Sequence, residues 1–173
     1  MELTIENGRM NSKESFSHSA SAVVSALYDQ YGTDVLRLCF TFMRNRPDAE
    51  DAAQETFLKI WRKLDSFEGR NHCTIRAWIM MIARNTCRDM LKKNWRKYEE
   101  RTITPEDLPI HGKASRQDIE LFMDVMSLPE KYRSVILLVY WQGMSVRETA
   151  KAVCSSTSTV TRRLEKAKAL LDT

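Results

Sequence analysis

A chain of 173 residues has room for one or two small domains, and 27 Lys and Arg against 23 Asp and Glu leave a net charge of only +4, a weak pointer toward nucleic acid. It has no apolar run of membrane-spanning length, so no membrane insertion of its own is expected. Five Gly and four Pro among abundant helix formers, with few alternating apolar runs, predict an all-α fold.

The opening residues 1–20 are polar and Ser-rich without a sustained period, and they read as a disordered tail. From about Ala22 a helical pattern sets in. Val23, Leu27, Tyr31, Val35, Leu38 and Phe42 are spaced to bury one face, with a possible break at Gly32. Arg46 and Pro47 are expected to end this helix, and Asp48 to cap the next. That next helix carries Ala49, Ala53, Phe57, Ile60 and Leu64 as an apolar stripe, with Asp51, Gln54, Glu55 and Leu58 on the opposite face.

A loop leads into a long helix from about Thr74 to Lys97, with Ile75, Trp78, Ile79, Ile82, Thr86 and Met90 inward and Arg84, Arg88, Lys92 and Arg96 along one outer face. Charge is uneven here. Residues 84–97 hold six bases and one acid, whereas residues 48–55 hold four acids and no base, which suggests two surfaces for two different partners. Periodicity then fails around Pro105, Pro109 and Gly112, so residues 98–115 read as a flexible linker between two small helical domains, 21–97 and 116–173.

In the second domain Ile119, Phe122, Met123 and Met126 supply a supporting helix, and Val135, Leu138 and Val139 a scaffold helix closed by Gly143. Ser145 is a good N-cap for a helix running to about Val153. After Cys154, Ser155 and Ser156 comes a last helix with Val160, Leu164, Ala167 and Leu171 on one side. Thr157, Ser158, Thr159, Arg162, Arg163 and Lys166 cluster near its start. Two helices about a short turn, the second basic at its beginning, form a helix-turn-helix suited to base edges and phosphates in a major groove. A plain amphipathic hairpin with a solvated basic face is the bland alternative.

Cys39, Cys73, Cys87 and Cys154 are widely spaced with no CxxC, and no signal peptide precedes them, which fits a reducing cytoplasm. His72 beside Cys73 lacks the second spaced pair of a metal site. With no paired-carboxylate or phosphate-loop pattern, neither a cofactor nor an enzymatic activity is expected.

Three stretches in order, DAEDAAQETFLKIW, AWIMMIARNTCRDMLKK and LPEKYRSVILLVYWQGMSVRETA, resemble conserved stretches of the sigma-70 family, in its extracytoplasmic-function group. The resemblance implies a promoter-melting region 2 domain over 21–97 and a minus-35-binding region 4 domain over 116–173. It implies a dissociable, non-enzymatic subunit that binds core RNA polymerase, recognises the minus-10 and minus-35 elements of promoter DNA, and helps open the duplex. An anti-sigma factor is a further implied partner.

The family's polymerase-binding helix positions fall on Asp51, Gln54 and Glu55, beside Leu58. Its minus-10 surface falls on Arg76, Arg84, Arg88, Lys92, Lys93 and Arg96, whose charges suit phosphates. A flipped base would be read in residues 69–74, where Asn71 and His72 offer polar edges, although this loop is longer than the family's common pattern. Trp95 is placed to stack on a base, whereas Trp78 suits the core better than a melting wedge. Arg163 matches the family's nearly constant arginine, and Arg162, Thr159 and Lys166 its DNA-facing positions. Cys154 and Ser158 stand where the family usually has glycine, so Cys154 must tolerate a glycine-like turn or the turn differs. Glu148 matches a constant acid. Two other readings remain: a sigma-like mimic that sequesters an anti-sigma factor, and a two-domain helix-turn-helix repressor.

Overall fold

The computed structural model describes residues 6–67, 73–93 and 116–172, with side chains from residue 20 onward except Asp118. Its elements are α1 (Glu6–Met43), α2 (Arg46–Lys63) with a 3-10 turn at Leu64–Ser66, α3 (Ile75–Lys93), α4 (Arg116–Ser127), α5 (Glu130–Ile136), α6 (Val146–Ala152) and α7 (Thr157–Leu171). A π turn over Leu137–Trp141 continues α5. Every regular element among the described residues is helical, in keeping with the all-α expectation.

Helices α1, α2 and α3 pack on one another as one unit. Leu38, Phe40, Met43, Ile60, Ile79 and Met80 are its largest fully buried side chains. Helices α4 to α7 form a second unit around Val125, Val135, Leu138, Met144 and Val160. The two units touch: α3 lies against α6, α1 against α5, and the Phe40 and Phe122 rings meet at 6.3 Å. One cluster of buried apolar side chains therefore includes members of both.

Two boundaries differ from the sequence reading. Helix α1 begins at Glu6 and passes Gly32 unbroken, covering backbone that was expected to be tail. A glycine inside a helix costs about 1 kcal/mol relative to alanine, which burial of Val35, Leu38 and Met43 immediately downstream easily outweighs. At the next corner Arg46 and Pro47 open α2 instead of ending α1. Asn45 is the cap: its Oδ1 accepts from the Asp48 amide at 2.9 Å, and its Nδ2 donates to Asp48 Oδ2 at 2.8 Å. Proline suits a first helical turn because the amide it lacks has no helical acceptor there. The chain reverses at Arg44, which takes a left-handed φ of 55°.

The second unit is laid out by its caps. Gly143 takes φ 63°, the left-handed conformation that glycine adopts without a steric penalty. Ser145 and Glu148 form a capping box at the start of α6. Ser156 caps α7, its hydroxyl accepting from the Thr159 amide at 3.2 Å. Cys154, in the turn between α6 and α7, has φ 51°, so the glycine-like turn is retained with a cysteine in it.

Candidate polymerase and promoter interfaces

The outer face of α2 follows from its inner one. With Ala49, Ala52, Ala53, Phe57 and Ile60 buried, the helical period turns Asp51, Gln54 and Leu58 to solvent and leaves Glu55 half-buried. All four line a groove of about 510 Å³ between α2 and α3, together with Lys59, Asp89 and Lys93. Lys59 and Asp89 approach to 3.8 Å across it. Gln54 and Leu58 also border a second groove of about 430 Å³, more apolar, with Tyr28, Phe57 and Trp61. They form a ridge between two hollows, acidic on one flank and aromatic on the other. Trp61, 47% exposed, and Tyr28, 57% exposed, were absent from the sequence reading of this face. Their large apolar surface in the open is the signal that singles them out.

Helix α3 presents its bases unequally. Arg88, Lys92 and Lys93 are exposed, while Arg84 is buried and lies 3.8 Å from Glu130 of α5. Burial pulls the Arg84 guanidinium below its ordinary value, with Glu130 opposing the shift and Arg88 and Arg163 adding to it. The single basic face expected for Arg84 and Arg88 is thus divided, because the second unit, through α6 and Glu130, covers the Arg84 end. Arg76 is half-buried; its Nη2 donates to Asp34 Oδ2 at 3.1 Å and to the Gln142 carbonyl. Trp78 is half-buried against Phe67, ring centroids 4.9 Å apart. Asn71, His72, Trp95 and Arg96, and the 98–115 linker, lie outside the described residues.

Helix α7 buries Val160, Leu164 and Ala167 and turns Thr157, Ser158, Arg162 and Lys166 to solvent, with Thr159 and Arg163 half-exposed. Near its start the hydroxyls of Ser158 and Thr159 sit 3.0 and 2.8 Å from that of Ser156. Tyr140 and Lys168 flank the other end of this helix, the ammonium 5.2 Å from the ring centroid. Glu148 is more than a cap. Its Oε2 accepts from the Ser145 amide and hydroxyl, and its Oε1 accepts from Thr74 Oγ1 of the first unit at 3.0 Å. The Ser145 bonds, backbone then hydroxyl, hold its carboxyl below the ordinary range.

No group of His, Cys, Asp and Glu suited to a metal occurs among the described residues. No helix there is long and apolar enough to cross a membrane.

An all-helical chain with an acidic ridge on one unit and a capped helix-turn-helix on the other defines a class of DNA-directed, protein-docking transcription factors. Residues 27–97 match the family model for sigma-70 region 2, and residues 125–171 that for sigma-70 region 4. The chain belongs to the sigma-70 family, in its extracytoplasmic-function group. It is 28% identical over 148 residues to the ECF RNA polymerase sigma factor SigX of Bacillus subtilis (strain 168), covering 78% of this chain and 74% of that protein. RNA polymerase sigma factor SigV of the same organism is 26% identical over 156 residues, covering 88% and 91%. Among solved structures, CnrH in complex with the cytosolic domain of CnrY has the same fold at TM-score 0.65, with 24% identity, covering 90% of this chain and 92% of that one. The sigma factor RpoE in complex with the anti-sigma factor NepR from Bartonella quintana gives TM-score 0.64 at 23% identity, covering 91% and 94%.

Proposed function

We propose that this sigma factor does its work through three separate faces: the α2 ridge for core polymerase, the basic side of α3 for the minus-10 element, and the exposed side of α7 for the minus-35 element. Residues 21–97 are then the polymerase-binding and melting domain, 98–115 the linker, and 116–173 the minus-35 domain. Phosphodiester chemistry belongs to the polymerase; this chain is not an enzyme, needs no cofactor and acts in the cytoplasm. An anti-sigma factor is a partner in keeping with the RpoE structure, which holds the anti-sigma factor NepR.

The observation that carries the reading is the α2 ridge. Asp51, Gln54 and Leu58 stand in solvent directly above a buried Ala49, Ala52 and Ala53 row, where a side chain that serves only solubility has no need of an apolar Leu at 43% exposure. A repressor has no use for such a ridge, and a mimic has none for the bases of α3 and α7. The test is Asp51→Lys with Glu55→Lys. Surface changes usually stay within about 0.5 kcal/mol of wild-type stability, whereas like charges set against a basic partner helix cost several kcal/mol at an interface. The double variant should keep its circular dichroism and melting temperature, yet lose co-purification with core polymerase and promoter-directed transcription in vitro. Wild-type initiation by the variant would remove α2 from the polymerase interface.

A further inference from the structure

Of the four cysteines, three are sheltered and one is displayed. Cys39 of α1 and Cys87 of α3 are fully buried, and Cys73 is half-buried. The Cys39 side chain, then burial itself, push the Cys87 thiol up. Thiols buried in apolar surroundings are inert. Cys154 is exposed, in the turn that leads into α7. Its backbone is fixed: φ is 51°, its amide donates to the Lys151 carbonyl at 3.1 Å, and the Ser155 amide donates to the Ala150 carbonyl at 2.8 Å. The thiol is therefore carried at a set place just ahead of the Ser156 cap.

The corner that faces this turn is positive. Arg84 of α3, only 8% exposed, lies within electrostatic reach of Cys154 and of two further guanidinium groups, Arg88 and Arg163. Against these three stands the Glu130 carboxylate, and the fit is poor. Arg84 Nε and Glu130 Oε1 are 3.8 Å apart, and each is buried without a hydrogen-bond partner among the described residues. A buried guanidinium nitrogen without an acceptor is costly. Three cations around one loosely held anion leave a surplus of positive charge, and such a surplus gathers anions.

We propose that Cys154 is a site of S-thiolation by anionic low-molecular-weight disulfides, and that the adduct blocks the minus-35 face of α7. The Cys154 sulfur, having given its proton to water, attacks one sulfur of the disulfide. The reagent's S–S bond breaks as the mixed disulfide forms, and the other half leaves as a thiolate that takes up a proton. Cys154 is oxidised, half of the reagent is reduced, and a free thiol reverses the exchange. The adduct sets a bulky, carboxylate-bearing group just ahead of Thr157 and Ser158, both exposed at the start of α7. Phosphates of a duplex approaching that face meet a like charge.

The block of DNA binding rests on the sigma-factor reading; the chemistry at Cys154 does not. The full chain is treated with oxidised glutathione, a dianion, and separately with cystamine, a dication, each rate is taken relative to that of 2-mercaptoethanol, and the modified cysteine is located by peptide mass mapping. Glutathionylation should fall on Cys154 before the other cysteines and run about tenfold faster, in relative terms, than the cystamine reaction at low salt, the gap closing as salt rises. A duplex selected from a random pool by the unmodified chain with core polymerase should be bound about tenfold more weakly by that complex after modification. Dithiothreitol should restore the affinity, and Cys154→Gly should bind the duplex alike with and without oxidised glutathione. Reaction first at Cys73, or equal relative rates for the two disulfides, overturns the site. Labelling at Cys154 with unchanged affinity overturns the block. An untreated chain that does not bind core polymerase refutes the sigma reading instead, and the labelling still decides the site by itself.

Discussion

The two basic helices, α3 and α7, look alike in sequence and differ in the folded chain. Helix α7 closes the second unit with one side covered, so Arg162 and Lys166 stay in solvent and only Val160, Leu164 and Ala167 are fully buried. Helix α3 is covered from two directions, by α1 and α2 behind and by α6 in front. Two of its arginines consequently face carboxylates inside the protein, Asp34 at 3.1 Å and Glu130 at 3.8 Å. Position along a helix decides which side a residue faces; what lies on that side decides whether its charge is available. Counting bases along α3 overstates the positive surface that this helix presents.

The contrast is tested most strongly by a pair of substitutions. Arg163→Ala should cost about 1–3 kcal/mol of promoter affinity if its side chain reaches a base or several phosphates, with little change in melting temperature because it is half-exposed. Arg84→Met should do the reverse in the free protein, leaving promoter affinity nearly unchanged and shifting thermal stability by about 1 kcal/mol or less as the loose pair with partly exposed Glu130 is lost. Equal promoter affinity for Arg163→Ala and wild type would take Arg163 off the DNA surface. An unaltered melt for Arg84→Met would show that the burial of this arginine contributes nothing.

A smaller effect sharpens the account of how α7 is aimed. Cys154 holds φ 51°, a conformation that costs a residue with a Cβ roughly 1–2 kcal/mol and glycine almost nothing. Allowing for glycine's greater freedom when unfolded, Cys154→Gly should raise stability by about 0.5–1 kcal/mol in urea titration without altering the denaturant slope. A loss of stability would mean that the exposed thiol makes a contact worth more than the backbone strain.

The smallest expected effect concerns acid. Glu148 is held below the ordinary carboxylate value by the Ser145 amide and hydroxyl, so its contribution is complete above that ordinary value and disappears as pH falls through the lowered native one. Glu148→Gln should therefore cost a few tenths of a kcal/mol at neutral pH, given how exposed the group is. The variant and wild type should converge in thermal melts once pH falls below that lowered native value. A gap that persists in acid would place the stabilisation in packing and not in charge.

Much of this architecture is legible in the residues because it is local. The Gly143 turn, the Ser145 cap and the Val160, Leu164, Ala167 stripe each depend on neighbours within a few positions, and each is where the pattern puts it. The α2 stripe is of the same kind, and only its cap was misplaced, since Asn45 and Asp48 both suit a helix start and side-chain geometry chooses between them. What escapes the sequence is the contact between units. Asp34 to Arg76 spans 42 positions, and Gln142 to Asp34 spans 108; no periodicity links them. Nor does composition foretell that α1 reaches back to Glu6, because the residues before Ala20 have no apolar rhythm to announce a helix.

The two oxygens of Glu148 divide their duties. Oε2 holds Ser145 within its own unit, and Oε1 reaches Thr74 in the other. Only the second bond joins the units, so the first turn of α6 is tied from within its own unit. Thr74 is likewise tied within its own unit, its hydroxyl accepting from the Ala77 amide at 3.2 Å as a cap for α3. Each helix start is thus complete without the other unit, and the bond between Thr74 and Glu148 adds a link that neither cap requires.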